Sequence, residues 1–298
     1  MQAYRNYQTQ KKNDQLLSDI QAQNTKTNSM INNLKDTIIE KEKEIAQIKE
    51  QLANMPDSET VKKFTHHYFE YYAKDPAIMY GSTFYGLVLM QNPADMWMMQ
   101  EIITKIRPDF IIETGTFAGG AALYYATILK QVNNKGKVIT IDIEPKPRMY
   151  NTNILKKEND LLYNTVKEIS DNYIEFIISN SVDPALIERL KEQTKNKKVL
   201  VTLDSCHSYE HVLNEINLYS QLVSPGSYLI VQDTFLDDKK EWVEKYAACP
   251  GYKIKGGPGK AVSEFLRGNS DFKVDKSRER FLFTFYPSGY LKKVIKEK

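Results

Sequence analysis

The sequence predicts a doubly wound α/β domain, a mostly parallel sheet with helices on both faces, preceded by a long helical arm. Three observations carry this. Short apolar runs alternate with helix-patterned segments from residue 108 onward, the rhythm of parallel strands joined by crossover helices. The stretch Phe110-Ile-Ile-Glu-Thr-Gly-Thr-Phe-Ala-Gly-Gly120 reads as buried strand, acidic residue and glycine turn, with a breaker-free helix after it. Residues 15–55 repeat apolar side chains at three- and four-residue steps.

Residues 1–14 are polar and aperiodic and read as a loose tail. From Leu17 the seam runs Leu17, Ile20, Asn24, Thr27, Ile31, Leu34, Ile38, Lys41, Ile45, Ile48, Leu52, and eight of these eleven positions are apolar. No Gly or Pro interrupts them before Met55-Pro56. Heptads with β-branched residues at many a positions favour a two-stranded parallel coiled coil, with Asn24 fixing register. Residues 17–52 are thus expected to make a homo-oligomer; a lone helix packed on its own domain is the alternative. Met55-Pro56-Asp57-Ser58 breaks the helix, opening a helical lead-in over 56–107. His66-His67 lies in an aromatic helical stretch, where adjacent histidines face different sides and suit packing better than a shared metal. Tyr80 to Gly86 is turn-like and aromatic, a lid over a pocket. Asp95–Lys105 forms a helix that Pro108 ends.

The main domain, 108–298, offers strands at Phe110–Glu113, Lys137–Ile141, Ile174–Ile178, Val199–Leu203, Tyr228–Val231 and Phe281–Phe285. Helical patterns fall at 119–131, 152–170, 184–194, 208–222 and 259–267, and the last strand is expected to enter antiparallel. In such sheets ligands collect at the carboxyl ends of the strands. Glu113 ends the first strand and Asp142 the second, where an acid accepts hydrogen bonds from ribose hydroxyls. The turn separates NAD from S-adenosylmethionine. A dinucleotide fingerprint needs a glycine two residues after Gly115, so that pyrophosphate can approach the backbone, and here that residue is Phe117. The pattern Gly115-x-x-x-Gly119-Gly120 suits a cofactor without phosphates, with Glu113, Gly115, Thr116, Gly119 and Gly120 along its methionine end. Gly257-Pro-Gly-Lys260 lacks Walker spacing and reads as a turn.

Asp204 closes the fourth strand, His207 follows at the mouth of the next helix, and Gln232-Asp233 closes the fifth. Oxygen ligands from Asp204, Gln232 and Asp233 suit Mg²⁺, and His207 is placed to take a proton from a hydroxyl. Taken singly, each aspartate also fits a cap. A rival arrangement uses Asp204, His207 and His211 as an iron triad. Composition narrows the classes. Charges of both signs are mixed, 41 basic against 38 acidic, so the basic KKVIKEK terminus reads as a solvated tail with no nucleic-acid partner. No long apolar run marks a signal peptide or transmembrane segment. Two cysteines argue against a disulfide scaffold, and a cytoplasmic location is expected.

The run LDSCHSYEHVLNEINLYSQLVSPGSYLIVQDT, the ETGTFAGG turn, ITIDIE and the closing GPGKAVSEFL…FKVDKSRERFLFTFYPSGYLKK resemble the cephalosporin hydroxylase family, which includes rhamnosyl and macrolide-sugar O-methyltransferases. The resemblance spans Tyr80 to Lys293 and leaves the arm outside. It implies the Rossmann-like fold of class I methyltransferases, S-adenosyl-L-methionine as cofactor, and Mg²⁺-assisted O-methylation of a sugar or glycan hydroxyl. It matches Asp204 to the family's metal aspartate, His207 to its catalytic histidine, Gln232-Asp233 to its Glu-Asp pair and Ser181 to a cofactor-loop serine. Gln at 232 removes one negative charge from the expected metal set. A non-catalytic cofactor-binding scaffold assembled by the arm, or a non-haem iron hydroxylase, are the alternatives.

Overall fold

The computed structural model describes residues 2–53, 58–144, 160–247 and 249–296. The chain divides into two compact units, residues 1–57 and 58–298. The first is one helix, α1 (Gln2–Ala53). It includes residues 2–14, expected as a loose tail. Lack of seam periodicity there does not prevent a helix, because no Gly or Pro occurs in that stretch and its Gln, Lys and Arg tolerate helical backbone. Among the seam residues, Leu17, Ile20, Ile31, Leu34, Ile38 and Ile45 are exposed. The expected break at Met55–Asp57 lies outside the described residues.

The second unit begins with α2 (Ser58–Lys74), a short α3 (Pro76–Met79) and a hairpin, β1 (Thr83–Phe84) and β2 (Leu87–Val88). Helix α4 (Pro93–Ile106) starts where the Asn92 side chain accepts from Ala94 N at 3.0 Å with Pro93 behind it, and ends at Arg107 in the left-handed region. The sheet follows: β3 (Phe110–Thr114), α5 (Gly120–Val132), β4 (Lys137–Asp142), α6 (Asp160–Tyr173), β5 (Ile174–Ile178), α7 (Pro184–Gln193), β6 (Val199–Leu203), α8 (Tyr209–Tyr219) and β7 (Tyr228–Val231). After a 3₁₀ turn at Thr234–Asp238 come α9 (Lys240–Tyr246), α10 (Pro258–Arg267), β8 (Phe272–Val274) and β9 (Tyr290–Lys293). Of the helix expected at 152–170, residues 152–159 lie outside the described residues.

Spatial order is β5-β4-β3-β6-β7-β9-β8, parallel from β5 through β7, with β9 and β8 antiparallel. The order reverses direction between β3 and β6, the switch point where such sheets open a crevice. Both faces are covered, and successive strand residues feed different cores. Ile111, Val138, Leu200 and Ile230 pack with α4, α5 and α6, while Ile112, Ile139, Val201 and Leu229 pack with α7, α8 and α10. That explains the unbroken apolar runs in the sequence.

Phe281–Phe285 is not a strand; the last strand is Tyr290–Lys293. At the segment's end side chains claim the backbone N–H groups. Phe285 N donates to Asp95 Oδ2 at 2.8 Å, Tyr286 N donates to Thr284 Oγ1, and Leu282 adopts φ +68°. Phe283 and Phe285 join an aromatic cluster with Tyr68, Phe69 and Phe235. Lys292 and Lys293 of the supposed tail belong to β9, and Lys293 Nζ donates to the carbonyls of Ser220 and Val223.

Candidate active site

The crevice is shaped first by backbone. Gly115 leaves β3 at φ +85°, and a Cβ there would come within 2.0 Å of the Asp204 carbonyl oxygen, so only glycine fits between the two strand ends. Gly119 turns at φ +78° into α5, and a Cβ on Gly120 would meet the Val88 carbonyl at 2.2 Å. Phe117 also holds a positive φ of 48°, an uncommon state for a bulky side chain. Its half-exposed ring sits 6.2 Å from that of Tyr80. The hairpin segment expected as a lid thus reaches the turn.

Asp142 fastens the turn from beside it. Its Oδ2 accepts from Thr116 N at 2.9 Å and Phe117 N at 3.0 Å, and its Oδ1 accepts from Glu144 N. Glu113 lies wholly buried. Thr140 Oγ1 donates to its Oε2 at 2.5 Å, while Oε1 has no hydrogen-bond partner among the described residues. Burial pushes the Glu113 carboxyl up to about 8, against the Thr140 hydrogen bond. Thr116 is buried too, its hydroxyl 2.7 Å from that of Thr140. Of the expected cofactor residues, Gly115, Asp142 and Ser181 line a cavity of about 660 Å³ together with Asp204, His211 and Tyr252. Glu113, Thr116, Gly119 and Gly120 build the turn behind it.

Asp204 joins this cavity to a second group. One ligand atom each from Asp204, His207 and Asp233 lie within 4.8 Å of one another. His207 Nε2 is 3.4 Å from Asp233 Oδ2 and 3.9 Å from Asp204 Oδ1. Asp233 reaches in from a left-handed backbone, φ +55°, which aspartate tolerates better than most residues. Burial and the Asp233 charge hold the Asp204 carboxyl well above the usual range; burial raises Asp233 as well, against the neighbouring imidazole. Two crowded carboxylates form a donor pair that fits a divalent cation, whose charge would relieve their repulsion, and the His207 ring stands beside them.

Gln232, expected among the ligands, has both ends of its amide engaged by protein groups. It is buried, its Nε2 donates to Thr202 Oγ1 at 2.8 Å, and its Oε1 accepts from Tyr286 OH at 2.7 Å. The iron triad fails to form. The His211 ring points to the cavity wall, Nε2 lying 3.1 Å from both Ser181 Oγ and Ser205 Oγ, and Nδ1 3.0 Å from Tyr252 OH. The two cysteines form one bridge, Cys206–Cys249. It does not make a scaffold, but it ties the loop between Asp204 and His207 to the cavity wall near Tyr252. Sequence spacing, 43 residues apart, held no sign of it. Gln91 was also missed: it sits between β2 and α4, and its Nε2 donates to Asp204 Oδ2 at 2.7 Å.

The profile of the family described as Rhamnosyl O-methyltransferase/CmcI matches residues 76–294. The chain belongs to that family. It is therefore an O-methyltransferase of the S-adenosylmethionine-dependent class, and the scaffold alternative falls away. Among its relatives is the rhamnosyl O-methyltransferase of Mycobacterium tuberculosis strain H37Rv, 32% identical over 220 residues, which are 70% of this chain and 77% of that protein. The rhamnosyl O-methyltransferase of Mycobacterium leprae is 30% identical over 215 residues, covering 70% and 82%. A solved structure described as cmcI-D160 Mg-SAM shares the fold, with a TM-score of 0.50 and 17% identity over 72% of this chain and 78% of its own. The matched region starts after the arm.

Proposed function

We propose that this O-methyltransferase acts on a sugar or glycan hydroxyl with the help of a divalent cation, and that it works as a homo-oligomer joined through residues 17–52. The observation that carries the reading is the convergence of Asp204, His207 and Asp233 at the edge of the cavity that Gly115 and Asp142 shape. The mycobacterial relatives are named for rhamnosyl acceptors, which supports the sugar class.

Asp142 and the Gly115 turn would hold S-adenosylmethionine, with Ser181 beside them; when bound, it supplies an electrophilic methyl on sulfur. Asp204 and Asp233 would hold Mg²⁺, which lowers the cost of negative charge on a nearby oxygen. By holding donor and acceptor hydroxyl side by side, these residues would supply the orientation on which much of the rate of methyl transfer depends. His207 takes the hydroxyl proton at Nε2, the nitrogen that faces Asp233. Gln232 stands outside this set. Among the described residues no helix is long and apolar enough to cross a membrane.

Replacing His207 with alanine tests the assignment. Single-turnover methylation of a rhamnosyl acceptor is expected to slow by at least about 100-fold, the usual scale for a positioned base, while Mn²⁺ binding followed by paramagnetic resonance persists. Undiminished single-turnover methylation would overturn the base role. Loss of Mn²⁺ would make His207 a ligand instead.

A further inference from the structure

The geometry points to Gln91 and Tyr286 as positioning residues for Asp204, aligned by a donor chain that runs from the amide of Gln232. The inference rests on the metal reading above, and it concerns three side chains from separate loops. Gln91 Nε2 donates to Asp204 Oδ2 at 2.7 Å. The other carboxylate oxygen, Oδ1, is the one that faces His207. Gln91 therefore occupies one oxygen and leaves its twin aimed at the cluster.

The donor count fixes the rest. A carboxylate only accepts, so Gln91 must turn its NH₂ to Asp204 and its carbonyl to Tyr286, whose hydroxyl donates to Gln91 Oε1. The same hydroxyl also lies 2.7 Å from Gln232 Oε1. One phenolic proton cannot serve two amide oxygens fully, and Tyr286 is completely buried, where an unpaired acceptor is costly. A half-turn of the Gln232 amide resolves the conflict. Its NH₂ then donates to the Tyr286 oxygen, and its carbonyl accepts from Thr202 Oγ1, already 2.8 Å from the present Nε2. Each link then has one donor and one acceptor, in the order Gln232 to Tyr286 to Gln91 to Asp204.

Glutamate at 232 would break this order. Ionised, it offers no donor and competes with Gln91 for the Tyr286 proton. The neutral residue at 232 thus belongs with Gln91 and Tyr286 as one unit. It gives up a ligand charge and gains a fixed orientation for Asp204.

The test is a double-mutant cycle on the full-length protein with Mn²⁺ as the probe. Gln91→Leu is expected to weaken Mn²⁺ binding by about 10- to 100-fold, as groups that orient a ligand do. S-Adenosylhomocysteine affinity by calorimetry should stay within about twofold, which separates positioning from general collapse of the site. Tyr286→Phe should weaken Mn²⁺ in the same direction, and adding it to Gln91→Leu should change little further. Unchanged Mn²⁺ affinity in Gln91→Leu, or fully additive losses in the double variant, would overturn the inference. Absence of Mn²⁺ binding by the unaltered protein would sink the metal reading itself. The same cycle read in thermal unfolding midpoints then decides the donor chain, since additive shifts refute it and strong coupling upholds it.

Discussion

Glu113 shows what one buried acid costs. It sits at the carboxyl end of β3 opposite Thr140, with its carboxyl raised to about 8 from an ordinary 4.5. Between those values the unfolded chain has released the proton while the folded protein keeps it, so rising pH favours unfolding across that window. Below about 4.5 both states hold the proton, and above about 8 neither does, so the dependence from this group ends at both limits. Glu113→Gln keeps the acceptor for Thr140 and removes the titration. Urea midpoints at pH 5 and pH 8 should show the unaltered protein losing at least about 1 kcal/mol more than the variant over that span; equal losses would place the charge elsewhere. Asp95, raised by burial to about 7, titrates in both proteins and cancels in the comparison. At this scale the acids were legible. Glu113, Asp142, Asp204 and Asp233 all close apolar runs, and a strand end fixes where its last polar residue points. Gln91 and Tyr286 were not, because no local pattern reports that residues 91, 204 and 286 share one hydrogen-bond chain.

Elements were read well where apolar spacing matched burial and badly where side chains took over the backbone. The runs that became β3, β4, β6 and β7 are buried on both faces and carry their own signature. Phe281–Phe285 alternates like a strand, yet Asp95 captures the N–H of Phe285, and Thr284 that of Tyr286 just beyond it. Helix α1 leaves apolar surface exposed: Ile31, Leu34 and Ile38 are 42%, 62% and 57% exposed along one seam. If that seam pairs two copies, Ile31→Asp with Ile38→Asp should convert the full-length protein to a monomer by light scattering, since a charged seam position cannot pack knobs into holes. The circular dichroism of the second unit's sheet should not change. An unaltered oligomer, or a monomeric parent protein, would remove the arm from assembly.

Across the whole molecule, the crevice draws on distant stretches of chain: the β3 turn, the end of β4, the loops after β5, β6 and β7, and the wall around Tyr252. The family match begins at residue 76 and ends at 294, so this assembly lies inside the shared region and the arm outside it. The Cys206–Cys249 bridge adds a covalent cross-link among these parts. Cys206 lies between Asp204 and His207, and Cys249 and Pro250 form part of the cavity wall with Tyr252. Dithiothreitol should therefore release the wall and weaken S-adenosylhomocysteine binding several-fold by calorimetry, while Cys206→Ser with Cys249→Ser should match the reduced protein and ignore the reagent. Equal affinities with and without dithiothreitol would confine the bridge to stability. The thiol reagent in the buffer thus becomes an experimental variable for this protein, and two laboratories differing only in that ingredient would measure two different enzymes.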